Sequence, residues 1–428
     1  MISRRQALRL GALTAVGGGI VGELSARGET VGWDAVTDEL EPSWTAVGEA
    51  GWTERWRRQV DGSPATVEVD SSGTCWLAGE SSQGEQGWVA SVDTAGEQTT
   101  GRRISAGDRE GSLRTLLPTS SAPILAGVTR AESRRSRAWA VAMNTDQTVR
   151  WRRQYQPSPH SYVIEAIESD RDGSGYLVAG RRESFQSWLD SAWLANLSPD
   201  GTLRWSRTYD AAISSVDDLV VGRDGQVFLV GGLDRTEGVG TDAGIIALRT
   251  GGTAWRRTYP AWWFTDAITA GTGANSEGLV TVGLTDPDAG PRAGVMTYLD
   301  EQGHPYWWHE LRVDGYDASL SAVHPVEGGY VSLGELEPDE EEEDTTDISF
   351  LLTVDAEGER SVGYRFSHAV IDVAFGADGG LFVLGERDGR SFLRSLGPPW
   401  REDEEQASAE RRGELDTNRR GDTSPRFA

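Results

Sequence analysis

Lysine is missing altogether: all 41 basic residues are arginine, set against 67 acidic ones for a net charge of −26 over 428 residues. Without lysine there is no phosphate-loop lysine and no Schiff base. Without a basic face, nucleic acid is not expected as a partner. Cys75 is the only cysteine, which excludes an intrachain disulfide and a lipid-anchored cysteine behind an export signal. Inside an apolar segment it reads as a small buried residue. The five histidines, 160, 304, 309, 324 and 368, show no metal spacing, and no Gly-x-Ser-x-Gly elbow occurs. Gly238-Val-Gly-Thr-Asp-Ala243 fits a dinucleotide fingerprint formally, yet no helical pattern follows it. Beyond residue 30 no segment keeps apolar positions at helical spacing for three turns.

Glycine and tryptophan, by contrast, are ordered into a repeat. Trp151-Arg-Arg-Gln-Tyr155 returns as Trp205-Ser-Arg-Thr-Tyr209 and Trp255-Arg-Arg-Thr-Tyr259, and more weakly as Trp307-Trp-His-Glu-Leu311. A second landmark, an apolar strand ending in glycine, occurs seven times, at Gly79, Gly127, Gly180, Gly231, Gly283, Gly334 and Gly385. A period of about 50 residues is that of propeller blades. Residues 163–209 show one unit: an apolar strand, the turn Asp172-Gly173, a second strand to Gly180, a variable loop, Ala192–Leu197, the turn Ser198-Pro-Asp-Gly201 and the Trp-bearing strand. The fold expected is all-β, a seven-bladed β-propeller with four-stranded antiparallel blades over residues 52–400.

Ring closure is predicted from the ends of the repeat. The last unit runs out at Gly397-Pro-Pro-Trp400 after three strands, while residues 52–60 form a fourth strand with no blade before it. Pairing them removes two open sheet edges. Residues 27–51 read as an acidic linker without period, and residues 401–428 as a disordered charged tail.

The repeated aromatics, Trp151, Trp205, Trp255 and Trp307 on outer strands and Trp88, Trp139, Trp193 and Phe350 on third strands, read as packing between blades. Acids recurring near inner-strand starts, Glu165, Asp218, Asp266, Asp317 and Asp372, read as a repeated bond to neighbouring backbone. Glu335–Asp344 lacks calcium-loop spacing and reads as a solvated loop. Departures from the repeat mark the binding face. The ligand-binding candidates are Trp262, Trp263 and Phe264 beside Trp188 and Arg182, with Tyr316 nearby, expected as an exposed aromatic cluster able to stack on sugars or a partner surface. No catalytic residue and no metal ligand is assigned.

Met1-Ile-Ser-Arg4-Arg5-Gln-Ala-Leu8 and the weakly apolar stretch to Val21 resemble a twin-arginine export signal over residues 1–26. That stretch is too short and glycine-rich for a membrane span, so no transmembrane anchor is expected. Acidic excess with arginine in place of lysine resembles secreted proteins of extremely halophilic archaea, whose carboxylate surfaces stay hydrated in molar salt. The unit Asp172–Gly180 followed by Asp190–Tyr209 resembles a repeat of secreted bacterial and archaeal propellers of unassigned function. Its turn glycine four residues before a Trp is also similar to quinoprotein blades, which implies alcohol or sugar dehydrogenation with pyrroloquinoline quinone (PQQ) and calcium. That family usually has eight blades, and many members carry adjacent cysteines. The function expected is an exported, monomeric binding or scaffold module at the cell surface, extracellular, with a cell-envelope protein or glycan as partner and no cofactor. A PQQ-type dehydrogenase or a polysaccharide-active propeller enzyme is the alternative.

Overall fold

A computed structural model describes residues 29–30, 38–39, 43–47 and most of 52–397; the breaks in the last stretch fall at 82–85, 99–100, 108–109, 120–122, 130–135, 158, 184–189, 210–214, 223, 235–240, 250–251, 261, 271–277, 286–290, 327, 340–346 and 360. The export signal expected over 1–26 and the tail over 401–428 lie outside the described residues. All regular elements described are strands, in seven sheets. The molecule is a seven-bladed propeller.

Blade 1 comprises Ser63–Val69, Cys75–Glu80, Gly87–Val92 and Arg102–Ile104. Blade 2 comprises Gly111–Leu117, Ile124–Thr129, Arg137–Met143 and Val149–Tyr155; blade 3, Ser161–Ser169, Tyr176–Glu183, Ser191–Leu197 and Leu203–Tyr209. Blade 4 is Asp218–Val221, Val227–Asp234, Thr241–Arg249 and Gly252–Pro260; blade 5, Trp262–Ala270, Gly278–Thr285, Gly294–Leu299 and Pro305–Leu311. Blade 6 is Tyr316–Val326, Gly329–Pro338, Ile348–Asp355 and Ser361–Arg365. Blade 7 has Ala369–Phe375, Leu381–Arg387 and Arg390–Gly397, and takes Thr53–Gln59 as its fourth strand, antiparallel to Arg390–Gly397 with Leu393 opposite Arg58. Glu54 accepts from Arg394 Nε at 2.7 Å across that junction. Closure therefore runs as the repeat predicts.

Each sheet is sandwiched between two others, so its middle strands are apolar on both faces; Ile124–Thr129 and Ser191–Leu197 are buried throughout. The core divides into seven clusters, one at each blade interface. Cys75 is buried in the cluster between blades 7 and 1 and is a free thiol, which burial pushes well above its usual range.

The recurring glycine has a steric cause. Six inner strands slip register, as between Ile164 and Ala166, and the bulge turns a carbonyl onto the glycine of the adjacent strand. A Cβ on Gly180 would stand 2.0 Å from the Val163 carbonyl oxygen, and one on Gly283 1.8 Å from that of Trp263. No other residue fits.

The outer-strand Trp bolts one blade to the next. Trp151, Trp255, Trp307 and Trp56 donate their indole N–H to carbonyls in the following blade's strand 3–4 turn, at Pro199 (2.8 Å), Glu301 (2.7 Å), Ala356 (3.3 Å) and Thr94 (3.3 Å). Each ring rests on that turn's glycine, Gly201, Gly303, Gly358 or Gly96, all at positive φ. Blade 1 carries Thr100 where blades 2, 3, 4, 5 and 7 carry Trp, and the facing position in blade 2 is then free to be Gln147, a non-glycine at φ 60° whose amide reaches Ser91 Oγ at 3.0 Å.

The segment read as a linker over 27–51 does more than connect. Glu29–Thr30, Asp38–Glu39 and Ser43–Ala46 lie parallel to the outer strands of blades 4, 5 and 6, as fifth strands, before the chain enters blade 7. Strands of two to four residues leave no period to read, which is why the sequence shows only an acidic stretch.

Candidate functional site

The aromatic cluster expected on the binding face is largely interior. Trp262 is 3% exposed and Phe264 fully buried. The inner strand of blade 5 already begins at Trp262, so both rings enter the core between blades 4 and 5, Trp262 5.1 Å from Trp308 and Phe264 5.1 Å from Tyr259. Trp263 is half-buried over Gly232 and donates to Asp217 Oδ2 at 2.8 Å, joining blade 5 to blade 4. Arg182 lies in blade 3, donating to Ser191 Oγ at 3.2 Å, and Tyr316 packs on the blade 5–6 cluster. Trp188 lies outside the described residues. The candidates thus spread over blades 3, 5 and 6, and those with full surroundings described act in packing or in bonds between strands.

The recurring acids do join backbones, at three positions in register. Asp218, Asp266 and Asp372 accept the amides of Ala267 (3.0 Å), Val323 (2.7 Å) and Val67 (2.9 Å), each on the next blade's inner strand. Glu165 and Asp317 fall off this register: Glu165 is the bulged residue and takes Arg114 Nη1 at 2.7 Å, while Asp317 accepts Arg292 N at 2.8 Å. These bonds and the Trp bolts serve the same interfaces, 7–1, 2–3, 4–5 and 5–6.

The interface between blades 3 and 4 differs. Its cluster, including Ala166, Leu194, Tyr209, Leu219 and Ile246, is apolar, and among the described residues the side-chain bond across it is that of Arg171 to the Asp224 carbonyl. Here the repeat Trp is Trp205, 41% exposed, with the Arg207 guanidinium 5.7 Å from its ring. Leu248 to Trp255 spans seven residues, where Leu197 to Trp205 and Leu299 to Trp307 span eight. The turn that would receive Trp205 is one residue short. That deletion was the sequence signal for an unusual aromatic, and pattern-matching the Trp alone passed over it.

Trp205 lies on an open edge. Blades 2 and 3 end in Val149–Tyr155 and Leu203–Tyr209, and no described strand pairs with the outer side of either. These edges carry Arg150, Arg152, Arg153, Arg204 and Arg207, all exposed and none in ion-pair contact with a described carboxylate, in a chain of net charge −26. On blade 4 the same register position is Arg257, opposite Glu29 in the fifth strand and only 7% exposed. On blade 5 it is His309, opposite Asp38, also 7% exposed.

Buried titratable groups stand apart from one another. Burial pushes Glu168 on blade 3 up to about 7 and His324, between blades 6 and 7 beside Phe375, down to about 4. Among the described residues no group of three His, Cys, Asp or Glu could hold a metal ion. Asn196, in the glycosylation sequon, is 4% exposed and donates to Asp170 Oδ2 at 2.9 Å.

No family model matches the chain, and no curated protein matches it in sequence. Solved structures are similar in shape. A Bacteroides caccae protein of unknown function is 12% identical with TM-score 0.40, covering 67% of this chain and 93% of that one. A glucose dehydrogenase is 13% identical with TM-score 0.37, covering 66% and 95%. Chaetomium thermophilum Sqt1 is 12% identical with TM-score 0.47, covering 78% and 95%. At these scores none of them bears on what this chain does.

Proposed function

We propose that the chain is an exported propeller of a halophilic archaeon that acts as a binding or scaffold module at the cell surface, toward a cell-envelope protein or glycan. Its inner carboxylates and most of its repeated aromatics join blades. The observation that carries the reading is the exception: Trp205 keeps the repeat position without the turn it docks on elsewhere, and stands 41% exposed beside Arg207. A large amphipathic ring next to a guanidinium is the composition of an interaction centre. The arginine pair Arg4-Arg5 supports export, and no helix among the described residues is long and apolar enough to cross a membrane. The test has two parts. Arg4→Lys with Arg5→Lys should trap the protein inside the cell. Purified protein should bind native envelope preparations saturably and lose that binding in Trp205→Ala; non-saturable binding, or binding indifferent to Trp205, would overturn the reading.

A further inference from the structure

We infer that the open outer edges of blades 2 and 3 receive an extended acidic peptide of a partner, added as a parallel fifth strand. The inference rests on the binding-module reading and names the surface and the ligand chemistry. The molecule already shows the mode: its own acidic segment, with Glu29, Asp38 and Glu39, adds in parallel to blades 4 and 5. The registers coincide, because Glu29 stands opposite Arg257 and Asp38 opposite His309, the same position of the repeat. Arg153 and Arg207 occupy that position on blades 2 and 3 and are exposed, whereas Arg257 is held against the Gln302–His304 turn of blade 5.

Next to the rim occupied on blades 4–6, the outer edges of blades 3 and 2 have no strand partner among the described residues, which leaves backbone N–H and C=O groups on that side for a ligand. Main-chain bonds would supply affinity and side-chain pockets selectivity, the mode of β-augmentation. Charge selects the partner. Five arginines with no acid occur within 149–155 and 203–209, so a ligand placing a carboxylate opposite Arg153 or Arg207 gains a charge-assisted bond. Trp205, on the same edge, adds an apolar contact that salt does not screen. Blades 1 and 7 are poorer acceptors, since the outer strand of blade 1 is only Arg102–Ile104 and that of blade 7, Thr53–Gln59, carries the acid Glu54 already paired with Arg57 and Arg394.

The chain's own segment is the probe. A fluorescein-labelled peptide of residues 27–46 carries Arg27 against Glu29, Asp34, Asp38, Glu39 and Glu41, a net charge of 1 − 5 = −4. In the intact protein the edges of blades 4–6 hold the chain's own copy, so it is the dependence of peptide binding on Arg153 and Arg207 that reports on blades 2 and 3. Anisotropy should show saturable binding that weakens about tenfold or more in Arg153→Glu/Arg207→Glu. Arg153→Gln/Arg207→Gln should weaken it less, and it serves alone if the charge reversal does not fold. A peptide with proline at alternate positions, lacking the N–H groups, should not bind. Binding unaffected by either variant pair, as when the probe displaces the segment on blades 4–6, overturns the proposal. Equal binding of the proline peptide, or equal competition by an anionic polysaccharide at matched charge, overturns it in favour of a merely electrostatic surface. Envelope binding without peptide binding sinks this assignment alone; absence of both sinks the module reading with it.

Discussion

The ring of Trp151 rests on Gly201 of the next blade, so closely that a Cβ there would stand 2.6 Å from its Cε3, while its indole N–H donates to Pro199 O at 2.8 Å. Trp151→Ala should cost about 3–5 kcal/mol by removing a buried ring. Trp205→Ala, at an exposed copy of the same position, should cost no more than about half of that. Gly201→Ala meets both the ring and a φ of 77°, and should cost about 1–3 kcal/mol. Denaturant melts of the three variants check the ranking; equal losses for Trp151 and Trp205 would contradict the bolt.

Deleting residues 52–60 strips blade 7 of its fourth strand. The variant should melt lower, and limited proteolysis should cut first within residues 369–397. A truncated chain with the wild-type melting and cleavage pattern would refute closure.

Trp44 brings to blade 6 the aromatic that its own outer strand lacks, since Val362 stands where blades 2, 3, 4, 5 and 7 have Trp. Its ring covers Gly363, meets Phe350 edge-on at 5.2 Å and lies 4.7 Å from the Arg365 guanidinium. Trp44→Ala should lower stability by about 2–3 kcal/mol. It should also speed amide exchange in Ser361–Arg365; unchanged exchange there would mean the parallel strand does not depend on the ring.

Glu168 and His324 give the stability curve opposite slopes. Burial holds Glu168 protonated up to about 7 against 4.5 unfolded, so its contribution is complete below 4.5 and is lost as pH rises to 7. His324 is held neutral down to about 4 against 6.5, so its contribution is complete above 6.5 and is lost as pH falls to 4. Glu168→Gln should therefore gain on the wild type as pH rises from 4.5 to 7, shown by melts across that range. A variant with a constant offset would exclude the buried acid as the cause.

Reconstitution with pyrroloquinoline quinone and calcium in high salt should give neither a cofactor absorption band nor dye-linked alcohol oxidation. Either signal would move the chain to the dehydrogenase alternative.

The ring, its blade count and its closure were legible because most units repeat the same steric demands, a glycine under the inner bulge in six and a Trp against the next turn in four. Trp262 and Phe264 misled because an irregular aromatic run looks like a surface feature, whereas here the strand starts at Trp262 and its alternation carries both rings inside. The five acids looked equivalent by count; the bulge, invisible in sequence, shifts Glu165 out of register with Asp218, Asp266 and Asp372. The fifth strands escaped because pairings of two to four residues have no periodicity, and Trp205 because its distinctiveness lies in a turn in the neighbouring blade.

The fifth strands also set an order of assembly. Residues 29–59 leave the ribosome ahead of every blade, yet their partners, 252–260, 305–311, 361–365 and 390–397, are made in the second half of synthesis. Contacts of such long sequence separation form slowly. Residues 29–30 must wait unpaired until 252–260 have been made and residues 53–59 until 390–397 have, so the native circle is sealed only after its last blade has emerged.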